Sequence, residues 1–256
     1  MPLKPKAVCG YALETGGSPA ITDGMMPMQS TTDSPDPQDL KEKQRALREG
    51  FSEPLSLRVH RALSWLLRAQ AEPEDDDVRF ILLWIGFNAA YASDVGRALE
   101  GQTERDRLQG FFRTLVGFDS RYRIYDMVWE RFPQEIQLLL DNRYVFHPFW
   151  QHHNGVAGHA DWADKLDRSR KAIRHALREH NTPKLLSILF DRLYVLRNQL
   201  VHGGATWNSE VNRRQVRDGA ALLSCLLPIF IDLMMDNPDH AWSMPNYPVV
   251  DVETPG

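Results

Sequence analysis

The sequence predicts an all-α protein, on three observations. Apolar residues recur every three or four positions through long stretches. Residues that start and stop helices punctuate those stretches, and no segment alternates apolar and polar residues as a half-buried strand does. Residues 1–48 are the exception: Pro, Gly, Ser, Thr and Asp dominate, and no aromatic occurs between Tyr11 and Phe51. Such a segment buries too little to offset its ordering entropy, so a disordered tail is expected. Met25, Met26 and Met28 offer later translation starts within it. Ser52-Glu53-Pro54 then reads as a helix start, and Leu55, Val59, Ala62, Leu63 and Leu66 share one face of the helix it opens. Asp75-Asp76-Asp77 gives the next helix, expected over 77–100, an acidic N-terminus that suits the helix dipole. That helix is apolar nearly all round from Phe80 to Phe87, which places it centrally in the core.

Thr103 and Glu104 open a further helix carrying Leu108, Phe111, Phe112 and Leu115. Residues 121–150 are aromatic-rich and interrupted by Pro133 and Pro148, so shorter helices are expected. Residues 161–180 read as a charged, exposed helix. Asn181-Thr182-Pro183 stops it and starts the next, which runs to His202 and ends at Gly203-Gly204. A last helix is expected over 209–236, with a kink at Pro228. The helical domain therefore covers 49–236. Residues 237–256 hold four prolines and read as an extended arm or loose tail.

Composition narrows the class. A length of 256 residues suits one good core. The formal net charge of −4 argues against a generally sticky nucleic-acid binder but leaves room for a local basic site. Cys9 and Cys225, the only cysteines, are far apart and in unlike contexts, so no disulfide framework or cysteine-rich zinc site is expected, and a reducing, cytoplasmic setting is. The start lacks the apolar core of a signal peptide. The most apolar run, 220–235, carries Pro228 and Asp232, falls short of the roughly 18 residues of a membrane span, and reads as a buried helix. No membrane association and no cofactor are expected, since no phosphate-binding glycine loop, serine-nucleophile elbow or dinucleotide fingerprint occurs.

The helix ending at His202 carries the chemistry. At about 100° per residue, Leu189, Leu193, Leu196 and Leu200 fall on one narrow stripe that faces the core or a partner helix. Asn198 and His202, four apart, stand one above the other on the side away from that stripe, whereas Arg197 lies at its edge, about 140° from His202. One straight helix therefore does not aim Arg197 and His202 at the same spot. Either the helix loosens at Gly203-Gly204, or the groups converge through a second copy across a two-fold axis.

Arg197-Asn198, three residues, then His202 resembles the signature of HEPN-domain proteins, in the subset with an Arg-Asn-x-x-x-His core. Leu83-Trp84-Ile85-Gly86-Phe87-Asn88-Ala89-Ala90-Tyr91 is similar to the Trp-x-x-Phe-Asn-x-x-Tyr helix upstream in many prokaryotic stand-alone members. The resemblance implies an up-and-down helical bundle with additional helices, a homodimer, and often a metal-independent endoribonuclease of toxin or defence type. It also implies RNA or a nucleotide as ligand and a nucleotidyltransferase-type antitoxin as partner. The residues suit that chemistry. Cleavage by the RNA's own 2′-hydroxyl needs one proton removed and one donated, which imidazole, titrating near 6.5 in general, can do. Arginine's fixed fork suits the phosphorane oxygens, and Asn198 can hold the imidazole or touch the phosphate. Arg197, Asn198 and His202 are thus the candidate catalytic set. The ordinary explanation of an Arg and a His at a helix end is that they cap its last carbonyls.

Other residues are weighed beside them. Trp84, Phe87 and Tyr91 are most simply core; Asn88, a polar amide among them, needs a partner and either ties this helix to the Arg197 helix or reaches the groove. Arg213 and Arg214, just past the Gly-Gly loop, are candidate substrate contacts with Asn88, although interspersed acids make a solvated face the commoner explanation for this cluster and for Arg168, Arg170, Lys171, Arg174 and Arg178. His147, His152, His153 and His159 lie in a stretch that reads as a loop. Their spacing matches no standard zinc pattern even with Asp161 and Asp164 near, so no metal site is expected, and surface histidines near a binding groove are the plainer reading. Cys225 reads as an inert core residue. The alternatives to a nuclease are a helical module that binds a nucleotide, RNA or protein without turnover, and a scaffold whose polar site only stabilises a dimer.

Overall fold

Residues 34–91, 103–210, 212–245 and 247 are described by a computed structural model of the chain. They are all-α, as the periodicity predicts, with ten α-helices and no β-sheet among the described residues. The helices form a bundle in the order α1 (Pro37–Leu47), α2 (Glu53–Gln70), α3 (Asp76–Tyr91), α4 (Glu104–Phe118), α5 (Arg123–Asp126), α6 (Pro133–Asp141), α7 (His147–His153), α8 (Trp162–Arg178), α9 (Thr182–Val201) and α10 (Arg213–Asp236). One π-helical turn, Met127–Arg131, comes after α5, and a 3-10 turn, Arg143–Val145, precedes α7.

The core sits where α2, α3, α9 and α10 meet. The expected faces of α2 (Leu55, Val59, Ala62, Leu63, Leu66) and α9 (Leu189, Leu193, Leu196) are buried, and Leu200 is partly so. The leucine stripe of α9 therefore serves this chain's own core and is not available to a partner helix. Trp84 and Phe87 of α3 pack against Phe190 of α9, and Phe112 of α4 lies between Phe190 and Phe230 of α10, with ring centroids 4.9 and 5.9 Å away. Gly86 permits the close approach of α3 to its neighbours: a Cβ there would lie 2.9 Å from Leu227 and 3.4 Å from Ala62 and Trp65. The most apolar part of α10 is 83% buried, and the helix continues past Pro228. A satellite cluster of Phe146, Phe149 and Leu166 joins α7 to α8.

Four expectations are corrected. The tail expected over 1–48 contains α1 in its described part: Asp36 caps it, accepting from the Gln38 N–H at 2.7 Å, and Leu40 is buried. Besides Leu40, Lys43 ties it to Asp232 (2.6 Å) and Asp236 (2.5 Å), a pairing across the whole chain that local composition does not reveal. Second, 147–153 is a helix, because Pro148 falls in its first turn, where proline starts rather than breaks a helix. Third, α10 begins at Arg213 and not near 209, since Asn212 has φ +62° and cannot continue a right-handed helix. Fourth, the arm after α10 is docked as far as it is described. Trp242 packs on Phe118 and donates its indole N–H to the Asn237 carbonyl at 3.0 Å. The buried Arg58 holds the Ser243 carbonyl (2.8 Å) and the Ala90 carbonyl (2.7 Å); burial lowers its pKa to about 10, which leaves it a cation at neutral pH. The expected extension of the third helix over 92–100 lies outside the described residues.

Candidate functional site

The end of α9 is built by its last residues. His202 is the C-cap, and Gly203 comes next in the left-handed conformation at φ +69°. The Gly204 N–H donates to the Gln199 carbonyl at 2.7 Å and the Gly203 N–H to the Leu200 carbonyl at 3.3 Å. These are the paired bonds of a Schellman turn, which only a residue tolerant of positive φ closes without strain. Asn198 and His202 stand one turn apart, as their spacing requires, and both line a cavity of about 580 Å³.

A second helix lining the cavity is α7. Its lining residues are His147, Trp150, Gln151 and Asn154, and those of α9 are Val195, Asn198, Gln199 and His202. Both sets obey the spacing i, i+3, i+4, i+7, so one face of each helix lines the cavity. Gln199 ties the walls together: its amide donates to the Tyr144 carbonyl at 2.6 Å and accepts from the Asn212 amide at 2.7 Å. The Trp150 indole N–H donates to the same Tyr144 carbonyl at 2.7 Å. The Gln151 amide nitrogen lies 3.0 Å from His147 Nε2; donating there, it leaves the proton of a neutral His147 on Nδ1. Among the described residues lining the cavity none is Lys, Arg, Asp or Glu. Amides, imidazoles and two aromatic rings line a pocket with no carboxylate, ammonium or guanidinium group.

The chain matches no family model, no curated protein and no solved structure. The site is thus described by its own residues alone.

Of the expected catalytic set, Asn198 and His202 share the cavity and Arg197 lies outside its lining. The Arg197 guanidinium instead donates to Asn198 Oδ1 at 3.0 Å. It belongs to another face of α9, between Tyr194 and Val201, both about half exposed. The guanidinium thus touches a lining residue without lining the cavity itself. The expected substrate contacts are elsewhere. Arg213 is committed to Asp77 at the start of α3, and Asp77 also accepts from the Asn208 N–H at 2.7 Å, so the pair pins the loop before α10. Arg214 is exposed beside Asp218, 3.5 Å away. Asn88 is half-buried, makes no side-chain hydrogen bond among the described residues and does not reach the cavity; Trp84, not Asn88, joins α3 to α9.

Of the four clustered histidines, His147 lines the cavity and His152, His153 and His159 do not. No group of three metal-ligating side chains occurs among the described residues. Sequence reasoning missed Tyr144, Trp150, Gln151, Gln199 and Asn212. The helical spacing of His147, Trp150, Gln151 and Asn154 was a usable signal, hidden by reading the segment as a loop.

Proposed function

We propose that this cavity is the reaction site of a metal-independent endoribonuclease, completed by a second copy of the chain. The observation that carries the reading is that two imidazoles, His147 and His202, line one uncharged cavity with Asn198 and with Tyr144 and Trp150. Tyr144 and Trp150 offer faces on which a base can stack, and the amides offer partners for its edges. One imidazole removes the 2′-hydroxyl proton, and the oxygen attacks the adjacent phosphorus. The other donates a proton to the departing 5′-oxygen, leaving a 2′,3′-cyclic phosphate and a 5′-hydroxyl. Both histidines come from one chain, so the second copy is not needed to supply an imidazole.

The second copy supplies the cation. Arg197 sits on a face of α9 flanked by exposed Tyr194 and Val201, which suits contact with another subunit, and from there it addresses the partner's phosphorane. This is the composite groove that the resemblance to HEPN-domain proteins implies. The absence of any charged residue from the cavity lining favours a second reading, in which the pocket binds a nucleotide or RNA without turnover.

Cleavage of an RNA oligonucleotide in EDTA separates the two. The nuclease reading expects cyclic-phosphate products and a loss of about 10²–10⁴-fold in His202→Ala or His147→Ala. Mixing inactive His202→Ala and Arg197→Ala proteins should restore about a quarter of wild-type activity, because one of the two sites in each mixed dimer is intact and half the dimers are mixed. Full activity in His202→Ala sinks the reading. No recovery on mixing sinks the shared site.

A further inference from the structure

A second cavity, of about 670 Å³, abuts the first and shares His147 and Val195 with it, but its chemistry is opposite. Arg105, Lys165, Arg168, Lys184 and Arg192 line it against a single acid, Asp191. Resting on the proposal that the neutral cavity takes RNA, we infer that this cleft seats backbone phosphates of the single strand whose base enters that cavity.

Arg192 marks the site as built. It is 3% exposed, its guanidinium lies 4.5 Å over the Phe146 ring, and it donates to Ser169 Oγ at 2.9 Å. Its buried Nε has no hydrogen-bond partner. The other buried arginines are held differently: Arg58 by two carbonyls and a hydroxyl, and Arg123, whose Nε is likewise without a hydrogen-bond partner, by direct pairing with the Asp232 carboxylate. A ring face and one hydroxyl leave Arg192 without a carboxylate in direct contact, Asp191 and Asp141 acting on it only through space, and a buried cation of that kind is costly unless an anion joins it. Burial accordingly lowers its pKa to about 10, so it still carries its charge at neutral pH.

The rim is ready to exchange partners. Lys165 and Arg168 lean on Asp161 at 2.8 and 3.5 Å, Arg105 pairs with Asp191, and Lys184 makes no ion pair among the described residues. Such partly exposed pairs hold weakly and give way to phosphate. A row of cations beside an uncharged, aromatic-walled pocket matches a nucleotide strand, with charge along the backbone and none on the base. Val195 and His147 at the seam put the shared imidazole where base and phosphate of one nucleotide meet.

The test is binding of a fluorescent 2′-O-methyl oligoribonucleotide, which lacks the attacking hydroxyl, to the full chain as salt is varied. Removing two phosphate contacts in Arg168→Ser/Lys184→Ser should make the slope of log K against log salt shallower by about 1.4, which at 0.2 M salt is roughly ten-fold weaker binding if affinities converge near 1 M. Arg68→Ser/Arg217→Ser removes the same charge elsewhere and should leave the slope unchanged. Arg192→Met, measured together with its melting temperature, should weaken binding further. An unchanged slope in Arg168→Ser/Lys184→Ser overturns the inference, as does failure of the wild-type protein to bind the strand. Displacement of the strand by equimolar inorganic triphosphate also overturns it and reassigns the cleft to a free polyphosphate. Cleavage of a dinucleotide in EDTA judges the nuclease reading separately, since so short a substrate is served by the neutral cavity.

Discussion

Replacing Gly203 by alanine tests whether the turn after α9 holds the site. Gly203 has φ +69°, and a Cβ built on it meets nothing within 4 Å, so no packing cost arises. The cost is the left-handed backbone alone, about 1–2 kcal/mol for a residue bearing a Cβ. Against it stands the reduced freedom of the unfolded chain, which stabilises by about 0.4–1 kcal/mol. The expected net loss is about 1 kcal/mol. For a domain of this size that lowers the melting temperature by about 2–4 °C. Gly203→Asn should recover most of the loss, because asparagine tolerates this region. Equilibrium urea unfolding monitored by tryptophan fluorescence gives the free-energy loss, and a thermal melt gives the temperature shift. The turn bonds the Gly204 N–H to the Gln199 carbonyl, and the Gln199 side chain bridges Tyr144 and Asn212, so the same change should also weaken ligand binding in the cavity. Alanine as stable as glycine, or asparagine no better than alanine, would show that the turn is not set by Gly203 conformation.

Buried charges set two further outcomes. Arg58→Met strips the Ala90 and Ser243 carbonyls of their donor, and one unsatisfied buried carbonyl costs about 1–3 kcal/mol; urea unfolding should show that loss and limited proteolysis should cut the arm around Trp242 faster, whereas an unchanged cleavage rate would mean Arg58 does not hold it. Burial pushes the Asp232 carboxyl up, but hydrogen bonds from Lys43 and Arg123 outweigh it and hold the group below its usual value. A carboxylate lowered in the folded state stabilises above its unfolded pKa, near 3.9, and that contribution is lost as pH falls through the lower, folded value. Asp232→Asn should therefore be about 2–4 kcal/mol less stable at neutral pH, between the limits for exposed and buried pairs, with the gap closing below pH 4; a gap that stays constant to pH 2 would assign the effect to packing.

The core was readable because its signal is local. Leu55, Val59, Ala62, Leu63 and Leu66 repeat at helical spacing within twelve positions, and burial follows from that spacing alone. The features that escaped depend on partners distant in the chain. The α1 helix buries little more than Leu40 and Gln44 and is tied down by Asp232 and Asp236. Arg213 resembles a phosphate contact until Asp77 claims it from 136 residues away, and Asp77 in turn looks like a plain helix-dipole acid. The same contrast divides the site. Asn198 and His202 share one helix face, so their meeting is fixed by arithmetic, whereas the wall that α7 supplies depends on packing among Phe146, Phe149 and Leu166 that no short motif encodes.

The two cavities together restrict how the proposed chemistry can be arranged. Charge sets affinity and its salt dependence, while uncharged amides and rings set which base is held, so on the proposed reading the basic cleft and the neutral cavity contribute to different measurable quantities. On that reading the reacting phosphate would lie between them, one bond from the sugar whose base is stacked and in line with the phosphates beyond it. His147 and Val195 are the residues at that seam. His202 comes from a different helix than His147 and lines the neutral cavity alone. An in-line displacement places the attacking 2′-oxygen and the departing 5′-oxygen on opposite sides of phosphorus, so the groups that serve them have to come from opposite walls. On the proposed reading, two histidines carried by different helices, α7 and α9, serve one oxygen each. Because His147 lines both cavities and His202 only the neutral one, that reading would give His147 the oxygen facing the strand's continuation and His202 the oxygen facing the held base, with His202 as the base and His147 as the acid.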